Sequence, residues 1–367
     1  MYDLVEAAAR VSAGAELENG KFQKMQSFLR NLIAQWRRLN LPFEDATVII
    51  GFSGGADSTA LLIASDELRK IKKLKIRIVA AHFEHGLRGE AGRRDMDFVK
   101  SIASQRGIEL AVGQWRRRNE GNLEQAARRA RYRFLAETAT RLNADLILTA
   151  HTMNDQAETF LLNLIRGSGA AGLGGISPLT ILEPRVGDVG DPMLPFASTT
   201  VLLARPLLLW ATRQMTEDFC RISETGFCRD AMNEDINFRR VWIRKVLIPM
   251  LAEVNPKIVG TLCRTAETLR GRESAATEAA SERLEAADSE SLLLANLRPL
   301  ERSELRDLIR LWLNRRRGNL RQIGFAHISA IESLIRGKGS GRSVEIPGGE
   351  VVKSGGRIRW HAKKVEK

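Results

Sequence analysis

Three cysteines in 367 residues, Cys220, Cys228 and Cys263, are too few and too irregularly spaced for a disulfide framework, and they form neither a C-x-x-C pair nor a zinc pattern. An odd count of thiols suits a reducing compartment. No run approaches the ~18 consecutive apolar residues that a membrane-spanning helix needs. The opening MYDLVEAAARVSAGAELENG carries Asp3, Glu6 and Arg10 where a secretory signal would be uninterrupted. The expectation is a cytoplasmic chain with no membrane partner. There is no internal repeat. Negative charge is in deficit: 44 Asp and Glu against 57 Lys and Arg leave a formal charge of +13 at pH 7. That excess fits nucleic acid, because each neutralised phosphate releases counterions, and fits a merely solubilising surface equally well. A hydrophobic content of 44% excludes a disordered tail. At roughly 150 residues per domain, the length allows two domains or three.

What is present begins with alternation. Short apolar or β-branched runs at 47–52, 76–83, 108–115, 144–151 and 201–208 alternate with helical patterns near 58–71, 90–106, 122–142, 154–165 and 212–224. This is the pattern of a doubly wound α/β fold with a mainly parallel sheet. An insertion-like loop rich in Gly, Pro and Asp spans 183–195. After Phe238, FRRVWIRKVLIPMLAEVNP reads as one basic amphipathic helix stopped near Pro256. A long polar helix follows, then the helix SELRDLIRLWLNRRRG with basic residues at Arg315 to Arg317. Alternating strands with Gly-Gly turns close the chain as a small α+β module. The expected division is 1–240, an α/β domain with an N-terminal helical extension; 241–290, a helical linker; and 291–367, a small C-terminal module.

Gly51-Phe52-Ser53-Gly54-Gly55-Ala56-Asp57-Ser58 follows a strand and opens a helix. As G-x-S-x-G it could be a nucleophile elbow, with Ser53 attacking an ester and His151 in a triad. As a glycine-rich loop at a helix N-terminus it could cradle phosphates on backbone amides. An elbow gives no reason for Asp57 and Ser58. A phosphate loop without a P-loop lysine needs other neutralisation, which Asp57 supplies by holding Mg2+. The phosphate reading is preferred. Gly167-Ser168-Gly169-Ala170-Ala171-Gly172 also matches G-x-G-x-x-G, but it follows a helix rather than a strand, so it reads as a turn.

The loop S-G-G-x-D-S resembles the pyrophosphate loop of the N-type ATP pyrophosphatases. Three further segments, HFEHGLR (82–88), NLEQAARRARYRFL (122–135) and LTAHTMNDQAETFLLNLIRGSGAAGLGGI (148–176), resemble one family of that superfamily, the tRNA(Ile)-lysidine synthetases. GKGSGRSVEIPGGEVVKSGGRIRW is similar to that family's C-terminal module, and the resemblance implies that 1–240 is the ATP-pyrophosphatase catalytic domain and 291–367 the tRNA-binding module. The resemblance implies a ligase that uses ATP, Mg2+ and free L-lysine to convert the first anticodon cytidine of the isoleucine tRNA with anticodon CAU into lysidine. ATP would adenylate O2 of the base with loss of pyrophosphate; the ε-amine of lysine would then attack C2 and release AMP. The alternative within the superfamily is a tRNA thiolase, which the lack of C-x-x-C disfavours. A nucleotide-binding module without catalysis is a further alternative. Whether the chain forms a homodimer is left open.

Ser53, His82 and His151 fall at the carboxyl ends of three predicted parallel strands, the edge where open α/β sheets bind ligands. Ser53, Gly54, Gly55, Ala56, Asp57 and Ser58 are expected to bind the ATP phosphates. Asp155 and Glu158 share a helical face near His151; Asp57 and Asp155 could hold Mg2+, or the acids could take the ammonium of lysine. Glu124, Arg128 and Arg131 share a second face, beside an apolar stripe of Leu123, Ala127, Ala130 and Phe134. The resemblance makes Arg88, Arg128, Arg131, Arg166 and Arg244 contacts for tRNA, and gives Arg240 the role of stabilising charge at the reacting centre. Asn154 stands where the family usually has the first of two acids, Met232 precedes Asn233 where serine is usual, and Val241 replaces an asparagine. Glu84 stands for a common Asp. Trp115 and Trp242 could stack on a flipped base, but the core is the plainer place for a tryptophan.

Overall fold

The computed structural model describes residues 2–84, 89–115, 123–182, 200–228, 236, 238–285, 290–320 and 322–363; the side chains of residues 2–19, 89–91 and 123–125 are outside that description. Arg88, Met232, Asn233 and the loop expected at 183–195 therefore lie outside the described residues. The chain divides into two compact units, the first ending at Glu267 and the second running from Thr268 to Lys367.

The first unit opens with α1 (Tyr2–Arg38), then alternates β1 (Glu44–Gly51), α2 (Ala56–Lys70), β2 (Lys75–Glu84), α3 (Gly89–Arg106), β3 (Glu109–Gln114), α4 (Leu123–Leu142), β4 (Leu146–Leu148) and α5 (Met153–Ile165). The short α6 (Ala170–Leu173), β5 (Leu179–Leu182), β6 (Val201–Ala204) and α7 (Arg213–Ile222) follow. The sheet order is β3-β2-β1-β4-β6-β5. All neighbours are parallel except β5, which pairs antiparallel with β6 at the edge. β1 and β4 read as unbroken apolar runs because both faces are covered, and Val48, Ile49, Ile50, Leu146, Ile147 and Leu148 are fully buried. Strand order reverses at β1, so the crevice between the carboxyl ends of β1 and β4 is the topological switch point. The two cores lie on the two faces of the sheet. One side holds Leu32, Trp36, Leu61 and Leu68, and the other Tyr132, Leu135 and Ala139.

The region expected as one helix after Phe238 is broken. It consists of α8 (Arg239–Trp242), a π-helical turn (Ile243–Leu247) and α9 (Ile248–Val254). Pro249 sits in the first turn of α9, where its missing N–H costs nothing, but it cannot continue a regular ladder from upstream; the wide turn takes up the change. α10 (Ile258–Glu285) carries the chain across the break between units.

The second unit contains β7 (Ser291–Leu293), α11 (Leu294–Leu297), α12 (Arg302–Arg317), α13 (Phe325–Arg336), β8 (Arg342–Ile346), β9 (Gly349–Ser354) and β10 (Arg357–Ala362). Its antiparallel sheet has the order β7-β10-β9-β8 and packs Ile346, Val351 and Ile358 against Leu305, Ile309, Trp312 and Ile331. Gly318 caps α12 in the left-handed region, φ 77°. Among the described residues no single helix is long and apolar enough to cross a membrane.

Candidate active site

The loop after β1 is held from three sides. The Phe52 amide donates to Ala81 O at 2.8 Å, and His82 Nδ1 lies 2.9 Å from Phe52 O. A carbonyl only accepts, so this nitrogen carries the proton; burial holds the imidazole below its usual pKa and neutral. Gly54 has φ 85°, and a Cβ there would stand 3.2 Å from Cys228 Sγ, while the Cys228 amide donates to Gly54 O at 2.8 Å. Ser58 Oγ donates to Gly55 O at 3.0 Å and receives the Ser53 amide at 3.2 Å, with Ser53 Oγ 3.0 Å away. Gly55 caps α2 without any side-chain hydrogen bond, so the first amides of a 15-residue helix face the loop with no competing carboxylate or hydroxyl cap. The elbow reading fails on the same geometry. Ser53 pairs with Ser58, whereas His151 Nδ1 pairs with Thr149 Oγ1 at 3.0 Å.

Across the crevice, Thr152 caps α5. Its amide and hydroxyl both donate to Asp155 Oδ2, at 2.8 and 3.1 Å, which fixes that carboxylate in the first turn. Burial pushes the Asp155 carboxyl up, but the Thr152 amide and the charges of Arg213 and Arg240 act against it, and the carboxyl stays below its usual range. His151 is pressed the other way: burial, together with Arg205, Arg131 and Arg128, keeps it neutral despite Asp155. Asp57, in the first turn of α2, is pushed up to about 6 by burial and by the charge of Asp155, against the Thr216 hydroxyl and Arg213. Thr216 Oγ1 is 2.5 Å from Asp57 Oδ1, and Arg213 Nε is 3.8 Å from Oδ2. Among the described residues no cluster of three or more His, Cys, Asp or Glu side chains converges as a metal site. Two mutually repelling carboxylates do suit a Mg2+ completed by substrate phosphates and water, the usual mode of that ion.

Glu158 is fully buried and bidentate with Arg244, Nε to Oε1 at 2.6 Å and Nη2 to Oε2 at 2.9 Å, with Arg240 Nε 3.7 Å from Oε2. Arg240 Nη2 donates to Thr159 Oγ1 at 2.7 Å. The π-turn brings both arginines to one carboxylate. Arg128 and Arg131 lie 5.2 and 5.4 Å from the centre of the Tyr132 ring. On α4 Tyr132, Leu135 and Ala139 are buried, and Phe134, the last member of the expected stripe, packs beside them over Gly113, where no Cβ would fit. Arg166 is exposed at the last turn of α5, roughly 16 Å along the axis from Asp155, and joins none of these groups.

Four residues that sequence reasoning passed over complete the site. Arg213 and Thr216 flank Asp57; Tyr132 carries the two arginines of α4. Arg205, 6% exposed, donates from Nη1 to Ser177 O at 2.7 Å and to Thr180 Oγ1 at 3.0 Å, tying the loop before β5 to the end of β6. Its place just after a strand and before Pro206 was the available signal. Asn154 has its own task, since its Oδ1 accepts the Arg213 amide at 2.9 Å and joins α5 to α7.

Residues 23–251 match the family model of the PP-loop domain, and residues 292–359 match the TilS substrate binding domain. The tRNA(Ile)-lysidine synthase of Synechocystis sp. is 31% identical, over 83% of this chain and 88% of its own length. The chain belongs to the tRNA(Ile)-lysidine synthase family. Family members from Solibacter usitatus and Geobacter sulfurreducens are 35% and 33% identical over 84% and 82% of this chain. The chain spans 66% and 61% of the length of those two relatives. The U34-tRNA thiolase NcsA from Methanococcus maripaludis, solved with its [4Fe-4S] cluster, is similar at 16% identity and a TM-score of 0.53 over 68% of this chain and 79% of that one, a likeness of fold alone.

Proposed function

We propose that this chain makes lysidine: it adenylates O2 of the first anticodon cytidine of the CAU-anticodon isoleucine tRNA with ATP, then joins the ε-nitrogen of free lysine to C2, releasing pyrophosphate and AMP. The observation that carries the reading is one crevice in which an uncapped helix N-terminus and Asp57 face a neutral imidazole, an ionised Asp155 and a set of arginines.

The α2 amides and the Gly54–Gly55 backbone bind the β and γ phosphates, the part of ATP that leaves. Asp57 and Asp155 would hold Mg2+, which supplies charge neutralisation at the phosphates. Thr216 and Arg213 orient Asp57. Lysine arrives as an ammonium and must shed a proton before it can attack. Asp155 attracts the cation, and neutral His151 accepts a hydrogen bond from it; the proton itself passes to solvent, because an imidazole held at about 3 is too weak a base to keep it. As the C2–O2 bond breaks, negative charge grows on the departing AMP, where Arg240 provides a fixed positive group. Glu158 acts through Arg244, as a positioning residue. The C-terminal unit holds the tRNA, and the work is cytoplasmic, where tRNA, ATP and lysine meet.

The thiolase alternative finds little support in the thiols. Cys220 and Cys263 are buried, and burial together with Asp57 pushes the Cys220 thiol up to about 12, which leaves it unreactive. The deciding experiment supplies ATP, Mg2+, lysine and the CAU-anticodon transcript. Lysine-dependent AMP with a tRNA mass gain of one lysyl group is expected; an unchanged tRNA sinks the reading.

A further inference from the structure

Trp242, placed in the core by sequence reasoning, is 40% exposed, and Phe238, four residues earlier, is 47% exposed. The reason is that the inward side of this segment is taken: Val241 and Ile243 are buried, and Arg240 and Arg244 turn to Glu158 and Thr159. The opposite side is left with two aromatic rings flanked by exposed Arg239 and Lys245. From Phe238 to Ala252 the chain carries no acidic residue. Burying a ring of this size contributes about 1.5–3 kcal/mol, part of which is forgone by leaving both rings half-exposed on one turn.

We propose that Phe238 and Trp242 form a stacking platform for unpaired bases of the RNA beside the nucleotide being modified, with Arg239 and Lys245 against the flanking phosphates. The inference rests on the lysidine reading for the identity of the RNA. Aromatic faces interleaved with cations are what a single-stranded nucleic acid loop requires, since every base offers a flat face and every linkage a negative charge. A second copy would set Arg239 and Lys245 of one chain against those of the other, with no carboxylate between 238 and 252 to pair them. One helix diameter, roughly 10 Å, separates the platform from the arginines on the other side of the same segment. A loop stacked there is therefore held beside the crevice, not remote from it.

The test uses the full chain and the CAU-anticodon tRNA transcript, with the isolated anticodon stem-loop as a second probe. Trp242→Ala should weaken both by about five- to a hundredfold, the range for one lost base stack, with the slope of affinity against salt unchanged. Trp242→Phe should restore most of the affinity, and Phe238→Ala should weaken it in the same direction. ATP binding without RNA and the unfolding midpoint should stay at wild-type values, which separates a lost surface from a damaged fold. Wild-type affinity in Trp242→Ala overturns the platform. So does a change in self-association with RNA affinity intact, which would make the face a protein contact. A wild type that does not bind the transcript overturns platform and lysidine reading together; a wild type that binds it and adds no lysine, with Trp242→Ala still weak, sinks the reading and supports the platform.

Discussion

Tyr132 is one of only two tyrosines, with Tyr2, so its ionisation can be watched directly. Its hydroxyl is buried, and burial alone would hold the proton on; the charges of Arg131, Arg128 and Arg205, with a hydrogen bond from Arg205, outweigh that and bring the phenol down from 10.0 to about 8. The phenolate is therefore favoured in the folded state. Between pH 8 and 10 the folded chain binds fewer protons than the unfolded one, so the stability of wild type relative to Tyr132→Phe should be level below pH 8. It should rise through that window by up to about 2–3 kcal/mol. Tyrosinate absorbance should show an early step near pH 8 that vanishes in Tyr132→Phe; a single step near 10 would mean that the arginines do not set this group. Phe should nonetheless keep tRNA affinity, because Arg128 and Arg131 stack on the ring rather than on the hydroxyl. Glu158 supports a different argument. Its side chain is fully buried and held by Arg244, so Glu158→Ala should cost about 3–5 kcal/mol in denaturant unfolding by stranding the guanidinium. Arg244→Met combined with Glu158→Leu should recover much of that stability while activity stays lost, the pattern of an ion pair kept for position rather than for stability.

At the scale of elements, the second unit has its own clamp. Glu332 on α13 is 5% exposed and is met by Arg306 of α12 at 2.6 Å, with Arg302 and Arg336 at 3.5 Å. Glu332→Gln leaves three cations around a neutral group and should lower the unfolding midpoint of this unit far more than Glu304→Gln, whose partner Arg283 is exposed. Equal shifts in calorimetry would show that α12 and α13 are held by their apolar seam alone. The elements themselves were legible where one local rule decides them. Five strands of the larger sheet follow from β-branched runs, and the phosphate loop follows from glycines between a strand and a helix. Asp57 and Asp155 could be brought together from topology, since both lie just past the carboxyl ends of neighbouring strands. The missed features depend on partners far away in the chain. Thr216 meets Asp57 across 159 positions, and nothing around Thr216 announces it. β5 is short and lies at an edge, with Ile181 exposed, so its pattern carries little signal. On α4 the buried side extends past Phe134 to Tyr132, which carries Arg128 and Arg131, and helical periodicity alone does not place those arginines over a ring.

For the whole molecule, the excess of +13 matters through where its cations are spent. Several are used internally: Arg69 and Arg106 hold buried Asp66, Arg205 holds a loop, and Arg306 holds Glu332. In the basic end of α12, Arg315 bonds Ser281 and Arg317 lies over Trp360, while Arg316 is exposed. This residue falls within the part of the chain that matches the TilS substrate binding domain. If that surface follows a phosphate backbone, tRNA affinity should fall on the order of a thousandfold or more between ~50 and ~200 mM salt, the loss expected for six or more phosphate contacts. Arg316→Ala should then make the logarithmic slope shallower by about 0.7–0.9, the share of one phosphate, and raise KM for tRNA with kcat unchanged. Asp57→Ala should do the reverse, abolishing turnover while tRNA affinity and its salt slope stay as they were. Filter binding across a salt series with both variants checks the pair. A flat salt response in the wild type would return the positive charge to the role of a solubilising surface, and a common slope change in both variants would mean that tRNA and nucleotide are not held by separate sets of residues.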